Sequence, residues 1–169
     1  YPEPSLKEEV AGPWTISFQE GRGGPAEPLT TDSLFDWTGS EDLHIKYFSG
    51  TATYKTTFKL KKLPETPLYI DLGKVMVMAR VKVNGQEVGG VWTAPYRLNI
   101  SQAVRKGTNE LEIEVVNNWR NRIIGEKNLP ESERFTFQTA SYLNKGSELQ
   151  SSGLLGPVQI LSFPYLIIK

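Results

Sequence analysis

Apolar residues recur at every second position along much of this chain, a spacing that suits strands and not helices. Ala52, Tyr54, Thr56, Phe58 and Leu60 form one mostly apolar face of a segment whose other face is Thr53, Lys55, Thr57 and Lys59. Leu111, Ile113 and Val115 alternate with Glu110, Glu112 and Glu114. A helix wound from Leu111 would put Glu114 and Val115 on one face, whereas a strand separates them. Shorter runs of period two occur at Trp14/Ile16/Phe18, Leu68/Ile70/Leu72, Ala79/Val81/Val83, Tyr96/Leu98/Ile100 and Val158/Ile160. They are rich in the β-branched and aromatic residues that suit a pleated, half-buried surface. With Tyr165 to Ile168, too apolar to be left in water, the pattern predicts about seven or eight strands.

Turn chemistry supports that reading. Asn84-Gly85 lies between Val81-Lys82-Val83 and Glu87-Val88, and both residues tolerate positive φ, so a tight two-residue hairpin is expected there. Gly21 to Gly24 with Pro25 and Pro28, Pro64 to Pro67, and Lys106-Gly107 mark further turns. Helix is scarce: Ser101 is placed to cap one turn through Arg105, and Trp119 to Ile124 suits another. Residues 20–42 and 125–156 lack periodicity and are longer than ordinary connections. A chain of 169 residues fits one domain with one core. The expected fold is an all-β, antiparallel jelly-roll β-sandwich with Trp14, Tyr54, Phe58, Leu111, Ile113 and Val115 inside.

Several function classes are disfavoured by composition. Nineteen basic and nineteen acidic residues cancel, which removes the long-range field that gathers a protein on nucleic acid. The longest apolar run, Val75 to Ala79, is far short of the ~20 residues of a membrane span. With no cysteine there is no disulfide, thiolate metal site or thiol nucleophile. The opening Tyr1-Pro2-Glu3-Pro4 lacks the features of a targeting signal, and we read the chain as a piece of a longer protein.

Catalytic candidates are few. His44 is the single histidine, within Asp42-Leu43-His44-Ile45-Lys46, where a solvent-facing position at a strand edge is expected. Glu126, Glu131 and Glu133 share one Pro-containing loop and offer the carboxylate pair a glycosidase needs, although paired carboxylates on loops also serve as plain solvated surface. Asp32 and Asp36 offer oxygens to a structural calcium, but no D-x-D-x-D-G spacing supports one, so no cofactor is expected. A mixed aromatic and polar group is more informative: Trp92, Tyr96 and Trp119 with Arg97, Asn117, Asn118, Arg120, Asn121 and Arg122. Sugars stack their C–H faces on rings and take paired hydrogen bonds from amides and guanidinium groups. Trp92, Tyr96, Asn118, Trp119, Arg120 and Arg122 are the candidate carbohydrate contacts; the competing reading makes the rings core or corner residues and has the polar groups satisfy loop carbonyls.

Several separated blocks carry a resemblance. Val83-Asn84-Gly85, Val88-Gly89, Trp92, Pro95-Tyr96 and Ile100 resemble a block of the sugar-binding-type β-sandwich of glycoside hydrolase family 2. Gly107 to Asn117 and Tyr47 to Tyr54 resemble two more of its strands. Gly12-Pro13-Trp14, Lys46 to Ala52, Asn118 to Gly125 and Ser152 to Val158 are similar to stretches in the C-terminal domain of bacterial α-L-rhamnosidase-like proteins of glycoside hydrolase family 106. Over residues 12–161 the resemblance implies a galactose-binding-like jelly roll that accompanies a catalytic barrel in the same parent chain. It also implies a bacterial protein that is periplasmic or secreted. No catalytic residue transfers to this chain. Three readings stand: a non-catalytic accessory domain packed on its barrel and touching carbohydrate, an independent carbohydrate-binding module, and a small self-sufficient hydrolase resting on the carboxylate loop. An exposed apolar patch of roughly several hundred Å2 favours the first, and exposed rings gathered in a concave loop region favour the second.

Overall fold

A computed structural model describes residues 3–138 and 142–164. Two antiparallel sheets face each other. The larger has six strands: β2 (Trp14–Phe18), β3 (Leu29–Thr31), β4 (Thr51–Leu60), β7 (Met78–Val83), β8 (Gln86–Val91) and β10 (Gly107–Val116), in the order β3-β2-β4-β10-β7-β8. The second has four: β1 (Leu6–Glu9), β5 (Leu68–Asp71), β9 (Arg97–Asn99) and β12 (Gln159–Ser162), in the order β1-β12-β5-β9. A short pair, β6 (Lys74–Met76) and β11 (Gly153–Gly156), completes the frame.

The period-two faces meet as the register requires. Ile16 pairs with Tyr54, Tyr54 with Ile113 and Ile113 with Val81, a row of four buried side chains across the larger sheet. A slip of one residue in β10 would turn Glu112 and Glu114 inward, so burial fixes the pairing. Leu68, Ile70 and Ile160 fill the interior from the opposite sheet. Trp14, Tyr54, Phe58, Leu111, Ile113 and Val115 are all buried in this core, as expected from their strand phases.

Trp37, in a 3-10 turn (Trp37–Gly39), stacks on Tyr54 with ring centroids 6.5 Å apart. Its Nε1 donates to the Tyr54 hydroxyl at 2.8 Å, and the Leu154 amide donates to the same oxygen at 3.1 Å. Burial pushes the Tyr54 phenol well above its ordinary range, so it stays neutral. The hairpin at Asn84-Gly85 is present, with φ of 51° and 78°. Asn84 also donates through Nδ2 to the Ala103 carbonyl and to Asn109 Oδ1, tying the turn to the neighbouring loop.

Other expectations need correction. The described residues hold twelve strands, because β1, β3, β6 and β11 are short and carry no apolar alternation that marks them. His44 is not on a strand edge. It lies in a one-turn helix, α1 (Leu43–Lys46), because the Asp42 carboxylate accepts from the His44 amide at 2.8 Å and caps it, and its Nδ1 lies 3.1 Å from the Gly23 carbonyl. No helix forms after Ser101, whose Oγ instead accepts from the Leu68 amide at 2.9 Å. The second expected helix is present as α2 (Arg120–Glu126). The run Tyr165 to Ile168 lies outside the described residues.

Candidate functional site: the rim beyond β10

Alternation stops at Val116, and the chain then turns across one end of the sandwich. Asn117 fixes this turn, accepting from the Gly50 amide at 2.9 Å and donating to the Phe48 carbonyl at 2.7 Å. Asn118 Oδ1 accepts from the Arg120 amide at 3.0 Å, and α2 follows.

Four of the six candidate contacts sit together here: Asn118, Trp119, Arg120 and Arg122. Their polar groups are largely engaged within the domain. Arg120 donates through Nε and Nη2 to the Glu148 carbonyl, and Asn118 Nδ2 donates to Gln150 Oε1. Buried Asn121 accepts from the Gln150 amide at 2.9 Å and donates to the Gln150 carbonyl and Ser152 Oγ, so α2 staples segment 148–152 to the sandwich. Arg122 is buried, donates to the Arg22 carbonyl, and has its guanidinium 5.4 Å from the centre of the Phe135 ring. Burial pulls its pKa down, with Glu126 opposing. Trp119 stays half open, with the Arg22 guanidinium 5.5 Å above its ring.

The other two candidates lie apart. Trp92 follows β8, two strands from β10 and so about 10 Å away along the same rim. Tyr96 precedes β9 in the opposite sheet and packs half-buried on the core.

The carboxylate loop is not arranged as an acid/base pair. Glu131 and Glu133 are exposed, while Glu126 is only 2% exposed and its oxygens accept from the Phe135 and Thr136 amides and from the Thr136 hydroxyl. Asp36, a sequence candidate for calcium, accepts instead from the Thr38 and Ser152 amides and the Thr38 hydroxyl. Burial raises its pKa, but hydrogen bonds from Ser151, Thr38 and Ser152 outweigh this and hold it below the ordinary value. No cluster of three His, Cys, Asp or Glu side chains suited to a metal occurs among the described residues.

Most of the exposed large apolar side chains lie on this rim or just after α2. Among the described residues ten large apolar side chains are exposed, and Val77, Met78, Trp92, Trp119, Leu129, Phe135, Phe137 and Tyr142 all belong to this rim or to the segment following α2. Phe137 is 91% exposed and Tyr142 88%. Beside Phe137, a polar notch of about 390 Å3 opens between α2 and residues 131–138. Asn117 and Asn121 follow the competing reading of the sequence, in which the polar groups satisfy loop carbonyls. The role of Glu126 is not legible there, since a carboxylate in a loop has the same appearance whether it faces solvent or buried amides.

The model of the glycosyl hydrolase 2 galactose-binding domain-like family matches residues 32–149. The chain belongs to that family. A Formosa agariphila protein named "Putative beta-glucuronidase" is 39% identical, with the match covering 94% of this chain and 16% of that protein. The structure of a rhamnosidase from Novosphingobium sp. PP1Y superposes with a TM-score of 0.84 at 39% identity, over 95% of this chain and 15% of that one. A Ruminococcus gnavus beta-glucuronidase aligns over 97% of this chain and 30% of its own length, with a TM-score of 0.66 at 19% identity, which shows a common fold. This galactose-binding-like domain thus spans about one sixth of the more similar relatives. No helix among the described residues is long and apolar enough to cross a membrane.

Proposed function

We propose that this chain is a non-catalytic accessory domain of a larger, exported, α-L-rhamnosidase-like glycoside hydrolase, and that it packs through the β10–α2 rim against the catalytic barrel of the same polypeptide. The observation that carries this reading is that eight of the ten exposed large apolar side chains among the described residues lie on this rim or in the segment following α2. Exposed apolar surface concentrated in one place marks an interaction site, whereas single scattered residues do not. The coverage of the relatives agrees, since most of their length lies outside the match.

The test is to purify this chain and the remaining domains of its parent separately. Association is expected, weakened by Trp119→Ala, with no hydrolysis of aryl glycosides by this chain alone. Turnover of an aryl α-L-rhamnoside that disappears in Glu131→Gln would refute the non-catalytic assignment.

A second reading, an independent carbohydrate-binding module, is favoured by the open rings of Trp92 and Trp119. Because Asn118, Arg120 and Arg122 already serve internal partners, such a site would offer few donors and bind weakly. Saturable amide shifts confined to Trp119 and its neighbours on adding rhamnose or galactose would establish it.

A further inference from the structure

We propose that residues 134–138 form a docking element that seats on an apolar surface of another domain of the same polypeptide, and that Glu126 is its positioning residue; this rests on the docking reading given above. Phe135 and Phe137 are strongly exposed, yet the backbone carrying them is held. Glu126 Oε1 accepts from the Phe135 amide at 3.1 Å. Its Oε2 accepts from the Thr136 amide at 3.0 Å and from the Thr136 hydroxyl at 2.5 Å. The Glu126 backbone carbonyl and that of Leu129 both accept from Arg134 Nε at 3.0 Å, fixing the start of the segment. Arg122 lies one turn before Glu126 on α2, with its Nε 3.9 Å from Glu126 Oε1 and its guanidinium over the Phe135 ring.

The chemistry requires a carboxylate. An ionised Glu is acceptor-only at both oxygens and can take all three hydrogen bonds, whereas a Gln of the same shape turns an N–H toward a backbone N–H. A tether made through the backbone leaves the rings outside. Two phenylalanines on an untethered surface segment would fold back to bury their apolar area. Holding amides 135 and 136 on a buried carboxylate keeps the rings presented instead. Another domain of the same polypeptide is the proposed occupant because the matched stretch is only 15–16% of its more similar relatives, so a covalently linked surface is at hand.

The test compares Glu126→Gln with Glu131→Gln, whose carboxylate is exposed, and with the milder Thr136→Val, which removes one hydroxyl bond. In the 169-residue chain, amide exchange at Phe135 and Thr136 should quicken about tenfold or more in Glu126→Gln and less in Thr136→Val. Exchange at Ile113 should hold in all three, and Glu131→Gln should match the parent. Binding to the separately purified remaining domains should weaken about tenfold in Glu126→Gln and in Phe137→Ala. Unchanged exchange at 135 and 136 in Glu126→Gln and Thr136→Val, or equal acceleration at Ile113, overturns the role of Glu126. If exchange quickens as expected while Phe137→Ala binds as tightly as the parent, the docking reading fails and the anchoring by Glu126 stands. A dimer of the chain that is lost in Phe137→Ala would assign the element to a second copy and overturn the proposed occupant.

Discussion

Gly153→Ala should be one of the costliest single-methyl substitutions in this domain. Gly153 opens β11 at φ of 94°, a region that L side chains rarely adopt. A Cβ there would lie 2.6 Å from Trp37 Nε1 and 2.9 Å from the Tyr54 hydroxyl, the two atoms that share the buried bond of 2.8 Å. Backbone strain contributes about 1–3 kcal/mol. Overpacking adds about 1–3 kcal/mol, and a lengthened Trp37–Tyr54 bond about 0.5–1.5 kcal/mol. The sum, about 2.5–7.5 kcal/mol, corresponds to a drop in Tm of roughly 5–30 °C for a domain of this size. Urea unfolding followed by tryptophan fluorescence reads both the loss and the changed surroundings of Trp37. Gly39→Ala is the control, because a Cβ at Gly39 meets nothing within 4 Å and its stability should stay within about 1 kcal/mol of the parent. A loss below about 1 kcal/mol for Gly153→Ala would refute the reasoning, since it would mean the Trp37–Tyr54 layer yields to a methyl group.

Gly85→Val should lower stability by about 1–3 kcal/mol in denaturant unfolding, because it forces a β-branched residue to a φ of 78°. Leu111→Ala should cost about 2–5 kcal/mol in the same measurement, since Leu111 is 1% exposed in the middle of the larger sheet. The depressed pKa of Asp36 gives a contribution present above its unfolded value of about 3.8 and lost as pH falls through the folded value. Thermal unfolding between pH 5 and about pH 2 should therefore be less steeply pH-dependent in Asp36→Asn than in the parent.

Most of the fold is legible in the sequence because its long strands carry strong alternation. In β4 and β10 every second residue faces the core over ten positions each, and a one-residue slip would bury lysines or glutamates. The short strands β5, β9 and β12 still show alternation, but β1, β3, β6 and β11 do not. β3 and β6 have three residues apiece, and their pairing is set by neighbours distant in sequence, as when Gly153 of β11 meets Met76. Likewise, the helix at α1 depends on Asp42 capping the His44 amide, a signal only four residues long inside an apolar stretch that also suits a strand.

The candidate site shows a different limit, one of chemistry and not of length. Asn and Arg beside tryptophan are what a sugar-binding rim needs, and they are also what a sandwich needs to close irregular chain over its open end. Buried carbonyls must be satisfied, and an Asn or Arg satisfies them wherever no strand partner exists. Asn121 on Gln150 and Arg122 on Arg22 serve that need, and Arg120 donates to the carbonyl of exposed Glu148. Their engagement leaves the rim a surface of rings standing among polar groups already paired. Such a surface gains little from hydroxyls, which would have to compete for donors in use, and more from an apolar neighbour, which requires none. The proposed docking of the rim therefore rests on this pairing of its donors, and a sugar site there would have to displace these internal bonds.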